Sequence, residues 1–157
     1  MRLRASGVLL SLALLSPACG LGLAHPDRIG VGRLVDGTII IEYRACTADT
    51  SISRVRLLDA HSTRGDSSDD VTLWEVSTRT PNRLRRFVVG GTPDGFSEVV
   101  ALPGVPAQGL LRIDIESLKY PQGESFSFTL DELQTGQLRV GDGYQTEEQF
   151  RAGHACG

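Results

Sequence analysis

The stretch that most constrains the fold is residues 38–46, Thr-Ile-Ile-Ile-Glu-Tyr-Arg-Ala-Cys. It is rich in β-branched and aromatic residues and directly follows an Asp-Gly turn pair, which is typical of a strand entered from a hairpin. In a strand, Ile39, Ile41 and Tyr43 lie on one face and give it a single good core face. We therefore expect a central strand of a β-sandwich, with Cys46 at its end.

Further strands are predicted by short apolar runs separated by turn residues. They lie at residues 29–35, 52–58, 71–76, 87–89, 96–102, 111–116, 125–130 and 137–140. Segments 111–116 and 125–130 alternate apolar and polar residues, which is typical of strands with one buried and one solvated face. The fold class predicted is all-β, an immunoglobulin-like two-sheet antiparallel sandwich. The likeness is architectural only, since no tryptophan follows Cys46 at the immunoglobulin spacing.

The sandwich is expected to end in a short C-terminal helix. Thr146 and Gln149 stand at the spacing of a capping box, in which the two side chains satisfy backbone amides of the first turn. The pattern predicts a helix over residues 147–152, ended by Gly153 and anchored by Phe150.

Length and composition are those of a single globular domain. The chain has 157 residues, of which 40% are hydrophobic and 22% charged. Its net charge of −3 argues against nucleic acid as a partner, because phosphate binding requires a basic surface.

The first residues have the composition of an export signal. A basic start, Met-Arg-Leu-Arg, precedes a short apolar run at residues 8–15, which is too short to span a bilayer. One interpretation is a signal peptide over residues 1–24, with a single sandwich domain over residues 25–157. The alternative is a lipobox ending at Cys19, which would carry a lipid anchor, although Ser16 stands where lipoboxes favour leucine. Both predict an extracellular protein, with the membrane reached only through that anchor.

Both interpretations leave two cysteines in the mature chain, Cys46 and Cys156. An even pair in an exported protein is most simply a disulfide. The cysteines are about 110 positions apart, and the loop-entropy model gives such a closure about 4 to 5 kcal/mol.

The chain resembles a loose group of small exported proteins from actinomycete bacteria. The resemblance rests on the export signal, the sandwich pattern and a basic content that is almost entirely arginine, with Lys119 the only lysine. It also rests on the closing segment, in which Glu-Gln-Phe at 148–150 is followed by Ala-Cys-Gly at 155–157. The resemblance implies an exported bacterial protein and brings no catalytic residue or cofactor with it.

The polar segment 61–70 contains the candidate ligand residues. Asp66, Asp69 and Asp70 could supply oxygens to a weak Ca²⁺ site, although their spacing matches no standard cage. The same segment contains Arg-Gly-Asp at 64–66, the tripeptide that integrins bind. A solvated charged loop explains both features, and we favour that interpretation.

Two further features could bind or react. His61 lies near Asp59 and several serines, but no nucleophile elbow supports a hydrolase. The arginine-rich segment 79–86 could bind an anionic envelope polymer, and an ordinary exposed hairpin explains it equally well.

The function predicted is that of an exported, non-enzymatic protein that uses no cofactor. It is expected to bind a protein or a cell-envelope component through a sheet edge or loops. A secreted hydrolase and a weak calcium-dependent binding domain are the alternatives.

Overall fold

Two five-stranded sheets packed face to face form the described part of the chain. The computed structural model describes residues 28–48, 50–61, 69–118 and 123–153. The first sheet has the strand order β10-β9-β1-β2-β5, and the second has the order β6-β4-β3-β7-β8. The strands are β1 (Ile29–Arg33), β2 (Ile39–Tyr43), β3 (Ile52–Ala60), β4 (Val71–Asn82), β5 (Arg86–Val88), β6 (Ser97–Val100), β7 (Leu110–Ser117), β8 (Glu124–Phe128), β9 (Leu138–Val140) and β10 (Gly143–Gln145). A 3₁₀ helix (Leu130–Glu132) precedes β9, and helix α1 (Glu147–Ala152) follows β10. The predicted all-β two-sheet sandwich is confirmed.

Neighbouring strands in both sheets pair antiparallel. The main core lies between the sheets, where apolar side chains of alternate residues interlock. As predicted, the inward residues of β7 and β8 join those of β2 in one cluster, together with the only tryptophan. These residues are Ile39, Ile41, Tyr43, Trp74, Leu111, Ile113, Ile115, Phe126 and Phe128.

Strand β2 is buried on both faces, whereas its sequence predicted one good core face. Its outward residue Ile40 packs against Leu138, Val140 and Phe150 in a second apolar cluster. The cause is helix α1, which lies over this face and covers it with Phe150. A second thin apolar layer therefore covers the outside of the first sheet.

Helix α1 has the predicted bounds and ends at Gly153. The Thr146 hydroxyl accepts a hydrogen bond from the Gln149 amide at 3.1 Å, and the Gln149 side chain accepts one from the Thr146 amide at 2.9 Å. Phe150 is 1% exposed. The capping box and the apolar anchor are both confirmed.

The outer face of the second sheet carries alternating charges. Arg54, Arg56 and Arg112 interleave with Glu75, Glu116, Asp114 and Asp70, at N–O distances between 2.6 and 3.3 Å. The pattern in β7 predicted that its polar face would be solvated, yet Arg112 and Asp114 are 4% and 8% exposed. Their mutual pairing, and the Arg112–Asp70 contact, offset the desolvation that such burial entails.

Candidate functional site

Strand β5 is the outermost strand of the first sheet, and its backbone is open on one side. The Arg85 carbonyl accepts a 2.7 Å hydrogen bond from strand β2, and the Val89 amide donates one of 3.0 Å to it. Antiparallel ladders use alternate residues, so the backbone groups of Arg86 and Val88 point away from β2. The Val88 carbonyl accepts from Gly91 at 3.0 Å. Among the described residues, the Val88 amide and both backbone groups of Arg86 remain open to a partner.

A groove of about 300 Å³ runs beside this open edge. It is lined by Leu84, Arg86, Val88, Gly91, Thr92 and Pro93. Val88 is 42% exposed in this groove. A side chain at Gly91 would approach the Val88 carbonyl to 3.2 Å, so glycine keeps this part of the groove open.

The walls of the groove are fixed by the turn between β5 and β6. The Phe96 amide donates to the Pro93 carbonyl at 3.0 Å, which closes the turn. Asn82 links the turn to the segment that precedes β5. Its side-chain amide donates to the Asp94 carbonyl at 3.0 Å, and its side-chain oxygen accepts from the Leu84 amide at 2.9 Å. The groove is therefore formed before any ligand arrives, which reduces the entropy lost on binding.

The other sheet edges are less suited to pairing. Strand β6 carries Glu98 and a register shift that leaves Val99 unmatched, and both devices discourage strand addition. On β8, the Ser127 carbonyl accepts a hydrogen bond from Arg139 at 3.3 Å. Strand β10 is followed almost at once by helix α1.

A second cleft, of about 280 Å³, adjoins the other end of β5. We call it the arginine cleft. Its lining residues are Glu42, Tyr43, Arg44, Ala45, Arg85, Phe150 and Arg151. The groove includes Arg86 and the cleft includes Arg85, so the two cavities meet at consecutive residues of the chain.

Glu42 is the buried anion of the arginine cleft, at 1% exposure. Its carboxylate lies 3.2 Å from the Arg86 guanidinium and 2.6 Å from that of Arg151, and Glu147 binds the same two arginines. The hydrogen bond that Arg151 donates to the Glu42 carboxylate, together with the Glu42 charge, raises the pKa of Arg151. This cluster ties helix α1 to β2 and β5, and it satisfies the carboxylate of Glu42 completely.

Tyr43 lies at the inner wall of the cleft, with its hydroxyl in a polar triad. The hydroxyl accepts from Arg28 at 2.7 Å and donates to Glu124 at 3.1 Å, and Arg28 and Glu124 also form an ion pair. Burial, followed by the nearby Glu124 charge, raises the pKa of Tyr43 to about 12. A neutral phenol at any physiological pH therefore supports the cleft.

The predicted calcium ligands are not grouped around an open site in the described part of the chain. The Asp70 carboxylate accepts from the His61 amide at 2.9 Å and lies 2.6 Å from Arg112. The hydrogen bond from the His61 backbone, with the Arg112 charge, lowers the pKa of Asp70. Asp66 lies outside the described residues, as does the Arg-Gly-Asp triplet. No group of three or more His, Cys, Asp or Glu in the described ranges could hold a metal ion.

The remaining predicted residues are only partly described. The His61 ring is mostly exposed, and its Nδ1 is 3.9 Å from Asp70, beyond hydrogen-bond distance. Cys19 and Cys156 lie outside the described residues, so lipidation and the disulfide remain predictions, as does cleavage after residue 24. Cys46 follows Arg44, whose guanidinium stacks 4.2 Å from the Phe150 ring centroid.

Comparison with other proteins yields no relative. No protein-family model matches the chain, and neither the curated proteins nor the solved structures contain a significant match. None of the helices formed by described residues is long and apolar enough to cross a membrane.

Proposed function

We propose that this is an exported, non-enzymatic protein that binds a partner protein by adding an extended segment of the partner to the edge of strand β5. The observation that carries the proposal is the open backbone of Arg86 and Val88 beside a preformed apolar groove. Strand addition uses both: main-chain hydrogen bonds provide affinity, and a pocket for alternate side chains provides specificity.

A protein segment suits this edge better than an envelope polymer does. The open groups are an amide donor and acceptor pair at Arg86 and a further donor at Val88, which matches the repeat of a polypeptide backbone. In an extended peptide paired with β5, every second side chain would point to the same face of the sheet as Val88. Because β5 has only three residues, we expect a transient complex with few main-chain hydrogen bonds.

Export rests on the basic and apolar start of the chain, with the mature protein beginning near residue 25. The proposal assigns no chemical step to the protein. The Asp70 carboxylate, which lies 3.9 Å from the His61 ring, is engaged by Arg112.

The test uses the mature protein as bait on intact cells, in three forms. Val88→Pro removes the outward amide donor, at a position where an edge strand tolerates proline. Val99→Pro is the matched control, since Val99 is 56% exposed and unmatched in the edge strand of the other sheet. The captured partner is then purified, and its affinity for all three forms is measured.

We expect Val88→Pro to weaken binding at least tenfold, while the control binds as the parent does. Thermal unfolding of both variants establishes that they remain folded. Equal binding by the parent and a folded Val88→Pro variant would exclude the β5 edge as the binding site.

A further inference from the structure

We infer that the segment bound at β5 is acidic, with a carboxylate side chain that enters the arginine cleft while an apolar side chain fills the groove. This inference rests on the proposed function and adds the chemistry of the partner. It is based on the charge of the cleft, the partners of Arg85 and the spacing of the two cavities.

The arginine cleft is positively charged, although the chain as a whole has a net charge of −3. Three arginines line it, against one glutamate. That glutamate, Glu42, is already bound by Arg86 and Arg151. A local excess of positive charge favours an anionic ligand.

Arg85 is the residue that this ligand would neutralise. Its guanidinium donates to two backbone carbonyls, those of Thr50 at 2.7 Å and Leu84 at 3.2 Å, and lies 5.9 Å from the centroid of the Tyr43 ring. Neither partner is an anion, and no carboxylate among the described residues forms an ion pair with Arg85. Burial lowers the pKa of Arg85; the nearby Tyr43 opposes this shift, and the nearby Arg83 charge adds a smaller lowering.

The guanidinium is also fixed in place. Its two carbonyl partners and the Tyr43 ring restrict it to one orientation, so little side-chain entropy would be lost on binding. A planar guanidinium held in this way can present its remaining N–H groups to a carboxylate in a charge-assisted pair.

The spacing of the cavities sets the spacing of the partner's side chains. Val88 in the groove and Arg85 in the cleft are three positions apart, which is about 10 Å along an extended chain. A segment paired with β5 therefore needs an apolar residue and an acidic residue roughly three positions apart. Charge complementarity thus selects an acidic extended segment over a neutral one.

The experiment titrates two synthetic peptides into the mature protein by calorimetry at low salt. Both peptides consist of alternating valine and threonine. One peptide carries two glutamates, three and four positions from its central valine. The other peptide carries glutamines at the same two positions. The protein variants are Arg85→Gln and, as the matched control, Arg79→Gln, which removes an exposed arginine of the same segment.

We expect the glutamate peptide to bind the parent protein about tenfold more tightly than the glutamine peptide. Arg85→Gln should abolish that difference, Arg79→Gln should preserve it, and physiological salt should reduce it. Equal binding of the two peptides to the parent would overturn the acidic specificity and leave the β5 docking site intact. Failure of both peptides to bind would instead count against the docking site itself.

Discussion

A substitution at a single residue, Phe128, tests the packing of the sandwich core. Its ring is 1% exposed and lies 6.4 Å, centroid to centroid, from that of Phe126. We expect Phe128→Ala to lower the free energy of unfolding by about 3–5 kcal/mol, because the transfer and cavity terms both apply at a buried site. Denaturant unfolding followed by the fluorescence of Trp74, which is 0% exposed, measures this loss.

Ser127→Ala is the matched control, since Ser127 lies on the opposite face of the same strand. We expect it to change stability by less than about 1 kcal/mol. Thr129 would be a poorer control. It caps the 3₁₀ helix, where its amide donates to the Glu132 carboxylate at 2.7 Å. Similar losses at Phe128 and Ser127 would contradict the assignment of their faces.

Tyr43 makes the stability of the protein sensitive to alkaline pH. The unfolded phenol ionises near pH 10, whereas the folded pKa is about 12. Between these values the native state binds more protons than the unfolded state, so stability falls as pH rises. We expect a loss of up to about 2–3 kcal/mol from pH 10 to pH 12.

Denaturant titrations at several alkaline pH values measure this loss. Tyr43→Phe is the comparison, because it keeps the ring and removes the titrating group. A variant whose stability falls as steeply as that of the parent over this range would show that the pH dependence arises elsewhere.

At the scale of elements, Gly32 permits strand β1 to lie close to β9. A methyl group at Gly32 would come within 2.7 Å of the Gln137 carbonyl oxygen, and this backbone atom cannot move aside as a side chain can. We expect Gly32→Ala to lower the unfolding free energy by about 1–3 kcal/mol. Thermal unfolding of the purified variant provides the measurement.

Gly143→Ala is the control, since its added methyl group would lie 3.9 Å from the Val140 carbonyl oxygen, in ordinary contact. It should unfold within about 0.5 kcal/mol of the parent. A Gly32→Ala variant as stable as this control would show that β1 and β9 are farther apart than described.

Periodicity predicted most strands but misplaced some of their ends. Strand β4 extends to Asn82, although Pro81 suggested that a connection begins before it. The register explains how proline is accommodated: Arg54 pairs with Ser77 and Ile52 with Asn82, so residues 78–81 bow out of the ladder. Local sequence does not reveal such a bulge, because it depends on pairing with β3.

Strand ends near tight turns were also misplaced. Residues 125–130 alternated as one strand, yet β8 ends at Phe128 and Leu130 begins the 3₁₀ helix. Strand β10 was not predicted, because Gly141 and Gly143 indicated only a turn. The residues of β10, Gly-Tyr-Gln, contain no alternation of apolar and polar residues for periodicity to detect.

The sequence could suggest a binding edge but not identify which one. Residues 79–86 showed an arginine cluster, and 90–95 a turn. That β5 is an edge follows from its pairing with β2, more than 40 positions earlier in the chain. The groove and the arginine cleft depend on that pairing and on helix α1, so neither is visible in a local pattern.

At the scale of the whole molecule, helix α1 and Gly153 lie close to the end of strand β2. The Arg44 guanidinium donates to the Phe150 carbonyl, and a methyl group at Gly153 would lie 2.9 Å from it. Cys156 is three positions after Gly153, a reach of about 10 Å. We therefore still expect a disulfide between Cys46 and Cys156.

Reduction should lower the free energy of unfolding by a few kcal/mol. Helix α1 has six residues, too few to persist alone, and it should fray first once the link is lost. Proteolysis of the reduced protein should therefore begin after Arg151 or Arg139. Thiol titration of the native protein is the direct measurement, and two reactive thiols under oxidising conditions would refute the link.

The packing of Phe150 over Ile40 also has a consequence for the timing of folding. The outer layer of the first sheet needs a residue near the end of the chain, and the Arg151–Glu42 pair joins positions 109 apart. During synthesis, Ile40 and Glu42 leave the ribosome long before the residues that cover them. Contacts this distant in sequence form slowly. A nascent chain therefore keeps this outer layer unformed until the residues of helix α1 have been synthesised.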